Sequence, residues 1–329
     1  MKVFVTGATG FLGQRVVLEA LRAGYEVRAV VRPMAEIPVP RENLEIVRLD
    51  LRQRDGLAEA LRGCDAVIHL AAARSGDFFD RFAGTVSATE NLLAAMKEAG
   101  LSHIVLVSSL AVYDYLHIPQ GATLNEDSPI DQRMIDRDDE AHTKMLQERL
   151  VRQWAQEHRW AWTILRPGVI FGPGRVMCER LGIAMGEHWW FRLGSWAPIP
   201  LTFVDNCAEA IVLAVAHSEA LGETINVIDD DPPSQLRYGA MLRDRMRPPP
   251  RIVPVSWLIL QSGAFLVWEA NGHLLGGRAI LPELLIPARL HARCKPLRYD
   301  NSLAKRLLGW TPRYSLHQAL DQSIRPQTD

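Results

Sequence analysis

A chain of 329 residues is long enough for one large α/β domain, or for such a domain with a smaller partner. Hydrophobic residues make up 48% of it and charged residues 23%, which is typical of globular proteins and excludes a disordered or fibrous chain. The formal net charge of -1 gives no electrostatic reason to expect nucleic acid or an anionic membrane as a partner.

The predicted elements alternate between short apolar runs and helical patterns throughout the first half of the chain. Strands are predicted at residues 2–6, 26–31, 43–49, 65–70, 103–107 and 161–165, and helices at residues 11–23, 85–99 and 139–157. Strands separated by helices indicate right-handed βαβ units and a parallel sheet with helices on both faces. The predicted fold class is α/β, a Rossmann-type doubly wound parallel sheet with a smaller C-terminal substrate lobe.

The chain changes character after Arg166, where Gly172-Pro-Gly174 and an aromatic stretch follow. We therefore expect a Rossmann domain over residues 1–170, completed by residues 201–230. The substrate-binding lobe is predicted to consist of residues 171–200 and 231–329.

Cysteine usage and the chain start indicate a cytoplasmic protein. The four cysteines are far apart and have no histidine at metal-ligand spacing, which is typical of reduced thiols and not of a disulfide framework or zinc site. The first strand begins at Lys2, which leaves no room for a signal peptide. The longest uncharged run, residues 252–268, contains Pro254 and is short for an integral membrane segment. It predicts a helix that covers an apolar pocket, with attachment to a membrane surface as the alternative.

A glycine-rich turn between the first strand and the first helix predicts a dinucleotide site. Gly7 allows a tight turn, Gly10 lets the backbone approach a pyrophosphate, and Gly13 permits close packing of helix and strand. The helix N-terminus then supplies oriented N–H groups and a partial positive charge. In a chain that alternates strands and helices throughout, this pattern indicates a nicotinamide dinucleotide cofactor.

The end of the second strand indicates which nicotinamide cofactor is preferred. Val31 stands where an acidic residue would accept hydrogen bonds from the adenosine ribose, and Arg32 follows it. An arginine without a nearby acid suits a 2′-phosphate, which favours NADP over NAD. Asp50 and Leu51, after the third strand, are candidates to contact the adenine.

Segments spread over nearly the whole chain resemble the extended short-chain dehydrogenase/reductase family, and in particular its NAD-dependent epimerase/dehydratase and 3β-hydroxysteroid dehydrogenase-like branch. They are residues 6–13, 69–72, 107–113, 165–174, 201–210 and 303–312. The resemblance implies a catalytic serine at Ser109. It also implies a row of residues along the cofactor: Phe11, Leu12, Leu70, Ala71, Ala72, Lys144, Pro167 and Val169.

In this family a tyrosine and a lysine stand four residues apart on one helix, and the lysine lowers the pKa of the tyrosine that exchanges a proton with the substrate. Lys144 matches the lysine, but Glu140 occupies the tyrosine position. A glutamate has an ordinary pKa of about 4.3, against about 10 for tyrosine, so near neutral pH it is an anion and a poor proton donor. Glu140 is therefore a salt-bridge partner of Lys144, a base for alcohol oxidation, or a surface residue.

Two further observations concern the proton relay. None of the six tyrosines lies on the helix of Lys144; Tyr113 and Tyr115 are the nearest substitutes. Thr85 stands where the family often has an asparagine that supports the relay. Both departures indicate that the chemistry is either altered or lost.

The substrate prediction uses the aromatic residues and the lack of dehydratase-type acids. Leu110 and Ala111 follow the serine strand where dehydratases carry acids, and Arg166-Pro167 resembles the hydroxysteroid dehydrogenase branch. Aromatic residues near position 190 and the run 252–268 favour an apolar small-molecule substrate, with packing in the lobe core as the alternative. Those aromatic residues are Trp189, Trp190, Phe191 and Trp196. The acidic runs at residues 136–139 and 229–231 are interpreted as loop or helix-start residues, and no metal is expected.

These observations together predict an NAD(P)-dependent oxidoreductase that acts on a secondary alcohol or ketone through Ser109, Glu140 and Lys144. One alternative is a non-catalytic NAD(P)-binding structural or sensor protein, and another is a sugar-nucleotide epimerase with tightly held cofactor. The family resemblance also implies a homodimer formed through the helices at residues 85–99 and 139–157.

Overall fold

The computed structural model describes residues 1–35, 42–132, 137–185, 189–194, 196–246, 249, 251–276, 278–279 and 281–324. Its strands are β1 (Lys2–Thr6), β2 (Glu26–Val31), β3 (Leu44–Arg48), β4 (Ala66–His69), β5 (His103–Val107), β6 (Thr123–Leu124), β7 (Ala161–Pro167), β8 (Val169–Phe171), β9 (Gly182–Met185), β10 (Trp189–Leu193), β11 (Leu201–Phe203), β12 (Thr224–Val227), β13 (Arg251–Val255) and β14 (Arg298–Tyr299). Its α-helices are α1 (Phe11–Arg22), α2 (Leu57–Leu61), α3 (Phe78–Phe82), α4 (Ala88–Ala99), α5 (Asp139–His158), α6 (Val204–Ala216), α7 (Gln235–Arg245), α8 (Trp257–Leu275), α9 (Pro287–Cys294), α10 (Ser302–Leu308) and α11 (Leu316–Ser323).

The main sheet has seven parallel strands in the order β12-β7-β5-β4-β1-β2-β3. The chain runs outward from β1 to β3 and then returns to the other side of β1 with β4, so the sheet has its topological switch point between β1 and β4. Ligands of open α/β sheets bind outside the carboxyl ends of the strands at such a point. The predicted Rossmann-type fold is therefore confirmed, and its glycine turn lies where the topology favours a ligand.

Helices cover both faces of the sheet because both faces are apolar. One face packs against α1 and α6 through Val16, Ala20 and Ile211, and the other against α2, α4 and α5. The strand predictions agree with the structure to within one or two residues at each end. The predicted helix 85–99 differs more. It begins as α4 at Ala88, and a π-helical turn, Ala83–Ser87, joins it to α3.

The smaller strands lie outside the main sheet. A three-stranded sheet has the order β13-β10-β9, and two parallel pairs are formed by β11 with β8 and by β14 with β6. The three-stranded sheet and β14 belong to the segments predicted as the substrate lobe, whereas β6, β11 and most of β8 come from the segments predicted as the Rossmann domain. From the segment 201–230, only β12 pairs with β7 in the main sheet, among the described strands.

Helix α8 corrects one expectation about the uncharged run 252–268. One side of it packs on a small apolar cluster through Trp257, Leu260 and Ala264. The other side points to solvent and covers nothing that the structure describes; its side chains Leu258, Ile259, Phe265, Leu266 and Leu274 are between 56% and 81% exposed. In the described part of the chain, no helix is long and apolar enough to cross a bilayer.

A buried ion pair joins helix α5 to strand β7. Glu148 accepts hydrogen bonds from Arg166 Nε at 2.9 Å and Nη2 at 2.7 Å, and Arg152 Nη1 donates to the same carboxylate at 2.9 Å. Burial opposes the charge on Glu148, but the hydrogen bonds and charge of Arg166 outweigh it and lower the pKa of the carboxyl. The Arg166 guanidinium also lies 4.7 Å from the centre of the Tyr113 ring. This pair fixes α5 against the sheet.

The substitution Arg166→Met is expected to lower the free energy of unfolding by about 3–5 kcal/mol, because it leaves a buried carboxylate with only a half-exposed partner. Arg152→Met, which removes that half-exposed partner, is the matched control and is expected to cost about 1 kcal/mol or less. Urea unfolding of both variants measures the difference. Equal losses would contradict the importance given to the buried pair.

Candidate active site

A single cavity of about 1150 Å³ runs along the carboxyl ends of the parallel strands. It reaches from the glycine turn after β1, past the ends of β4, β5 and β7, to residues of α5 and α9. Every predicted site residue lines it. These are Gly7, Gly10, Phe11, Leu12, Gly13, Arg32, Asp50, Leu51, Leu70, Ala71, Ala72, Ser109, Glu140, Lys144, Pro167 and Val169.

The glycine turn has the geometry of a pyrophosphate cradle. Gly7 has φ +70, and a Cβ at Gly13 would lie 2.0 Å from the Gly7 carbonyl oxygen, so neither position accepts a side chain without strain. Gly10 is the N-cap of α1; it has no side chain to cap the helix, and the first turn contains no acidic residue. The first-turn N–H groups of α1 are therefore available to an anion, and these residues fit the dinucleotide that the turn predicts.

The adenosine end of the cavity contains two differently placed charges. Arg32 is exposed and lines the cavity. Asp50 accepts hydrogen bonds from Arg52 Nε and Nη2, and this pairing is the main reason why the pKa of Asp50 lies below its usual value. Asp50 is thus an anion held by Arg52, whereas Arg32 remains the cation that faces the cavity after β2.

A buried hydrogen-bond network connects strand β1 to helix α5. Thr6 Oγ1 lies 2.7 Å from His69 Nδ1, and His69 Nε2 lies 2.9 Å from Thr89 Oγ1. Gln147 Nε2 donates to Thr89 Oγ1 at 2.8 Å and lies 3.1 Å from His69 Nε2. Burial, together with the charge of Lys144, lowers the pKa of His69 to about 3, so the ring is neutral. Along the chain, only the three-residue spacing of Lys144 and Gln147 on one helix indicates this network.

Lys144 ends this network at the cavity wall. Its Nζ donates to Gln147 Oε1 at 2.9 Å and to the Val107 carbonyl at 2.8 Å, at the end of β5. Burial lowers the pKa of Lys144 to about 8, against the opposing charges of Glu140 and Glu148. Two acceptors therefore orient the ammonium, and its pKa lies close to neutral pH.

Glu140 lies one turn before Lys144 on α5, and its side chain is exposed at the cavity wall. The salt bridge weighed in the sequence analysis is not formed, because Lys144 uses Val107 and Gln147 as its acceptors instead. Glu140 acts on Lys144 through its charge alone, since it raises the pKa of the lysine. The carboxylate is thus accessible to solvent at the cavity wall.

Ser109 lies two residues after the end of strand β5 and lines the same cavity. Its Oγ accepts a hydrogen bond from the Ala111 N–H at 3.1 Å, and a hydroxyl retains one hydrogen to donate. The nearby tyrosines do not line the cavity. Tyr113 is fully buried and donates to Asn226 Oδ1 at 2.9 Å, and burial raises its pKa to about 12, while the Tyr115 hydroxyl accepts from Arg180. Neither of them replaces the missing tyrosine.

The cavity lining is also rich in arginines that sequence reasoning missed. They are Arg74, Arg81, Arg137, Arg175, Arg180, Arg289 and Arg293. They come from separate segments of the chain, so no local motif marks them. Their number indicates a wall with more positive charge than an apolar substrate requires.

The aromatic residues expected at the substrate site lie elsewhere. None of Trp189, Trp190, Phe191 and Trp196 belongs to the described cavity lining. Trp196 is 76% exposed, and Trp190 packs partly buried beside the cluster of Phe171 and Phe203. The substrate preference that rested on these residues therefore loses its support.

The acidic runs have structural contacts where they are described. Asp138 caps α5 by accepting from the Ala141 N–H at 2.8 Å, and Asp229 accepts from the Phe203 N–H at 2.8 Å and from Asn206. Asp136 lies outside the described residues. Within the described ranges no group of three or more His, Cys, Asp and Glu side chains is placed to hold a metal ion.

Comparison with known proteins supports a nicotinamide nucleotide as the cofactor. A family model described as NAD(P)H-binding matches residues 7–175. The chain is 28% identical to the decarboxylating sterol-4-alpha-carboxylate 3-dehydrogenase of Bos taurus, in a match that covers 98% of this chain and 91% of that protein. It is also 28% identical to a 3 beta-hydroxysteroid dehydrogenase/Delta 5-->4-isomerase of Mycobacterium tuberculosis, in a match that covers 98% of this chain and 89% of that protein. The UDP-glucuronic acid 4-epimerase of Bacillus cereus, solved with UDP-glucuronic acid and NAD, has the same fold with a TM-score of 0.73 and 21% identity, covering 98% of each chain.

The chain therefore belongs to the NAD(P)H-binding family, within the extended short-chain dehydrogenases/reductases. Its relatives include these hydroxysteroid and sterol dehydrogenases and a dihydroflavonol 4-reductase of Hordeum vulgare, which is 28% identical over 68% of this chain and 69% of its own length. The chain shares its fold with a UDP-sugar epimerase. The family is one of NAD(P)-dependent oxidoreductases and epimerase-like enzymes, which confirms the predicted class.

The substitution Gly13→Ala is expected to weaken NADPH binding by at least about tenfold, which corresponds to about 1.4 kcal/mol, because the new Cβ would meet the Gly7 backbone. Gly263→Ala, in α8, is the matched control; a Cβ there has nothing within 4 Å, and it is expected to leave NADPH affinity unchanged. Fluorescence titration of both variants measures the affinities. An unchanged affinity in Gly13→Ala would contradict the placement of the cofactor.

Proposed function

We propose that the protein is an NAD(P)-dependent oxidoreductase that interconverts a secondary alcohol and a ketone. The observation that supports this most is the convergence of the glycine turn, Ser109 and Lys144 on one cavity. The bound nicotinamide would supply or accept the hydride. The residues of the chain have to bind the cofactor, orient the substrate oxygen and move its proton.

Proton transfer to or from the substrate oxygen is the step at which this chain differs from the family pattern. In this proposal Ser109 donates a hydrogen bond to the substrate oxygen, and Lys144 is the cation beside that oxygen. The hydroxyl hydrogen that Ser109 retains and the acceptors that hold Lys144 support these roles. Glu140, as an exposed carboxylate on the same wall, takes the hydroxyl proton of an alcohol and passes it to solvent. In this proposal alcohol oxidation is the favoured direction, because an anionic carboxylate accepts a proton more readily than it donates one.

The cofactor preference is proposed from the charges at the end of β2. Arg32 is exposed in the cavity wall, and the nearest acid, Asp50, is already held by Arg52. A free guanidinium suits the 2′-phosphate of NADP better than the hydroxyl of NAD.

The substitution Arg32→Ala is expected to weaken NADPH binding by about 10- to 100-fold and to leave NADH binding within about twofold, because it removes a charge-assisted hydrogen bond of about 1.5–3 kcal/mol. The control is Arg22→Ala, at the exposed end of α1, where both affinities should stay unchanged. Titration of each variant with both nucleotides measures the ratio. An equal loss for NADPH and NADH would contradict the assignment of Arg32 to the phosphate.

The role of Glu140 is tested by hydride transfer with a panel of secondary alcohols and ketones. The panel includes hydroxysteroids, dihydroflavonols and UDP-sugars, after the names of the relatives and of a protein with the same fold. Glu140→Gln is expected to slow alcohol oxidation by about 10²–10⁴-fold through the loss of general base catalysis, while NADPH binding is kept. Glu140→Tyr is expected to increase ketone reduction, because it restores the acid of the family.

Glu157→Gln is the matched control, since Glu157 is exposed on the same helix and is not part of the cavity wall. Equal oxidation rates in wild type, Glu140→Gln and Glu157→Gln would show that Glu140 is not the base. Tight NADPH binding without turnover of any compound would contradict the oxidoreductase and favour a sensor or structural protein. Turnover of a UDP-sugar without added nucleotide would favour the epimerase.

A further inference from the structure

Arg180 is a cation in the cavity wall with only neutral partners. Its Nη1 donates to the Tyr299 hydroxyl at 3.1 Å and its Nη2 to the Tyr115 hydroxyl at 3.0 Å. Its guanidinium carbon also lies 5.1 Å from the centre of the Tyr115 ring. Arginine stays protonated in proteins, so this partly buried group is a permanent positive charge held in a fixed orientation.

The acids near this wall are already paired with other arginines. Arg293 forms ion pairs with Glu283 at 2.5 Å and with Glu179 at 3.0 Å, and Arg289 lies 3.9 Å from Glu283. Among the described residues, no carboxylate lies within 4.0 Å of the Arg180 guanidinium. The wall thus neutralises its peripheral arginines and leaves Arg180 without a counter-ion.

Arg137 adds a second cation and an unused donor to the same wall. It is 2% exposed, and its Nη atoms donate to the carbonyls of Ala111 and Tyr113 and, at 3.4 Å, to Asp131. Its buried Nε has no hydrogen-bond partner. Buried N–H groups are nearly always paired in proteins, so an unpaired one in a ligand cavity indicates a donor whose acceptor arrives with the ligand.

A partly buried charge without a counter-ion destabilises the protein unless a ligand compensates for it. The two tyrosine hydroxyls hold the Arg180 guanidinium in the cavity wall. The side chain therefore does not remove the destabilisation by rotating into solvent. Planar guanidinium groups recognise carboxylates and phosphates through pairs of hydrogen bonds. We propose that the substrate of this oxidoreductase has an anionic oxygen group, a carboxylate or a phosphate, that binds to Arg180 beside Arg137.

This inference rests on the proposed function and narrows it from alcohols in general to anionic alcohols or ketones. It replaces the apolar substrate that the tryptophans favoured, since those side chains lie outside the cavity lining. The anionic groups of the dinucleotide are assigned to the glycine turn after β1 and to Arg32 after β2, whereas Arg180 is held by Tyr115 and Tyr299. Arg180 is therefore available to the substrate when the cofactor is bound.

The test titrates inorganic phosphate and, separately, acetate into the protein saturated with NADPH, at constant ionic strength, by calorimetry. Saturation with NADPH blocks the glycine turn, so anion binding at that turn does not contribute, and the Arg180 variants show whether the remaining binding depends on Arg180. We expect Arg180→Gln to weaken binding of the preferred anion at least about tenfold and Arg180→Lys to weaken it less, because lysine keeps the charge but loses the planar fork. The preferred anion, phosphate or acetate, then identifies the group that the substrate has.

The control is Arg237→Gln, because Arg237 is an exposed arginine paired with Asp231 away from the cavity, and it should leave anion binding unchanged. Circular dichroism checks that each variant folds. If Arg180→Gln does not fold, the comparison of Arg180→Lys with wild type decides the result. Equal anion affinity in wild type and both Arg180 variants, or no binding to wild type, would overturn the anion site. Failure of NADPH to bind would instead overturn the proposed function, and the same variants in the cofactor-free protein would still decide the anion site.

Discussion

The close approach of the β1–α1 turn to the start of α1 is the constraint on which the rest of the site depends. The space between the Gly7 carbonyl and Gly13 is too small for a single methyl group, so the first helix starts directly against the turn. This contact sets the direction of the α1 N–H groups toward the cavity. The turn lies at the switch point of the sheet because it follows β1, which pairs with β2 on one side and with β4 on the other. The cofactor site is thus a consequence of backbone packing more than of any side chain.

The buried network extends the same constraint to the chemistry. Thr6, in the last position of β1, contacts His69, and through Thr89 and Gln147 the chain of hydrogen bonds reaches Lys144. A neutral histidine at the centre of the network adds no charge to it, since burial keeps the ring unprotonated. Both acceptors of the Lys144 ammonium are neutral, so they do not cancel its charge, and the positive charge acts on the cavity. The backbone at the phosphate turn and the lysine on α5 are positioned by one continuous set of contacts.

The sequence predicted the parts of this arrangement that are local. The strands of the main sheet are continuous apolar runs, and the turn between β1 and α1 has its three glycines within seven residues, so both are visible along the chain. The exposed face of α8 was not predictable in this way, because an apolar run has the same sequence whether its helix is covered or exposed to solvent. The arginines of the cavity were missed because Arg137, Arg180 and Arg289 meet only after folding. Their significance depends on which acids pair with which arginines, and that is a property of the tertiary structure.

In the proposed mechanism, the replacement of tyrosine by Glu140 favours alcohol oxidation. Lys144, whose pKa of about 8 reflects burial, remains mostly an ammonium near neutral pH. A cation beside the reacting oxygen stabilises the alkoxide that forms as the alcohol loses its proton, whereas a carboxylate anion has no proton to give to a ketone. The anion site proposed at Arg180 adds an attraction for an anionic substrate. The positive wall therefore offsets the repulsion that Glu140 would exert on a negatively charged substrate, so the glutamate and the unpaired arginine are understandable as two parts of one site.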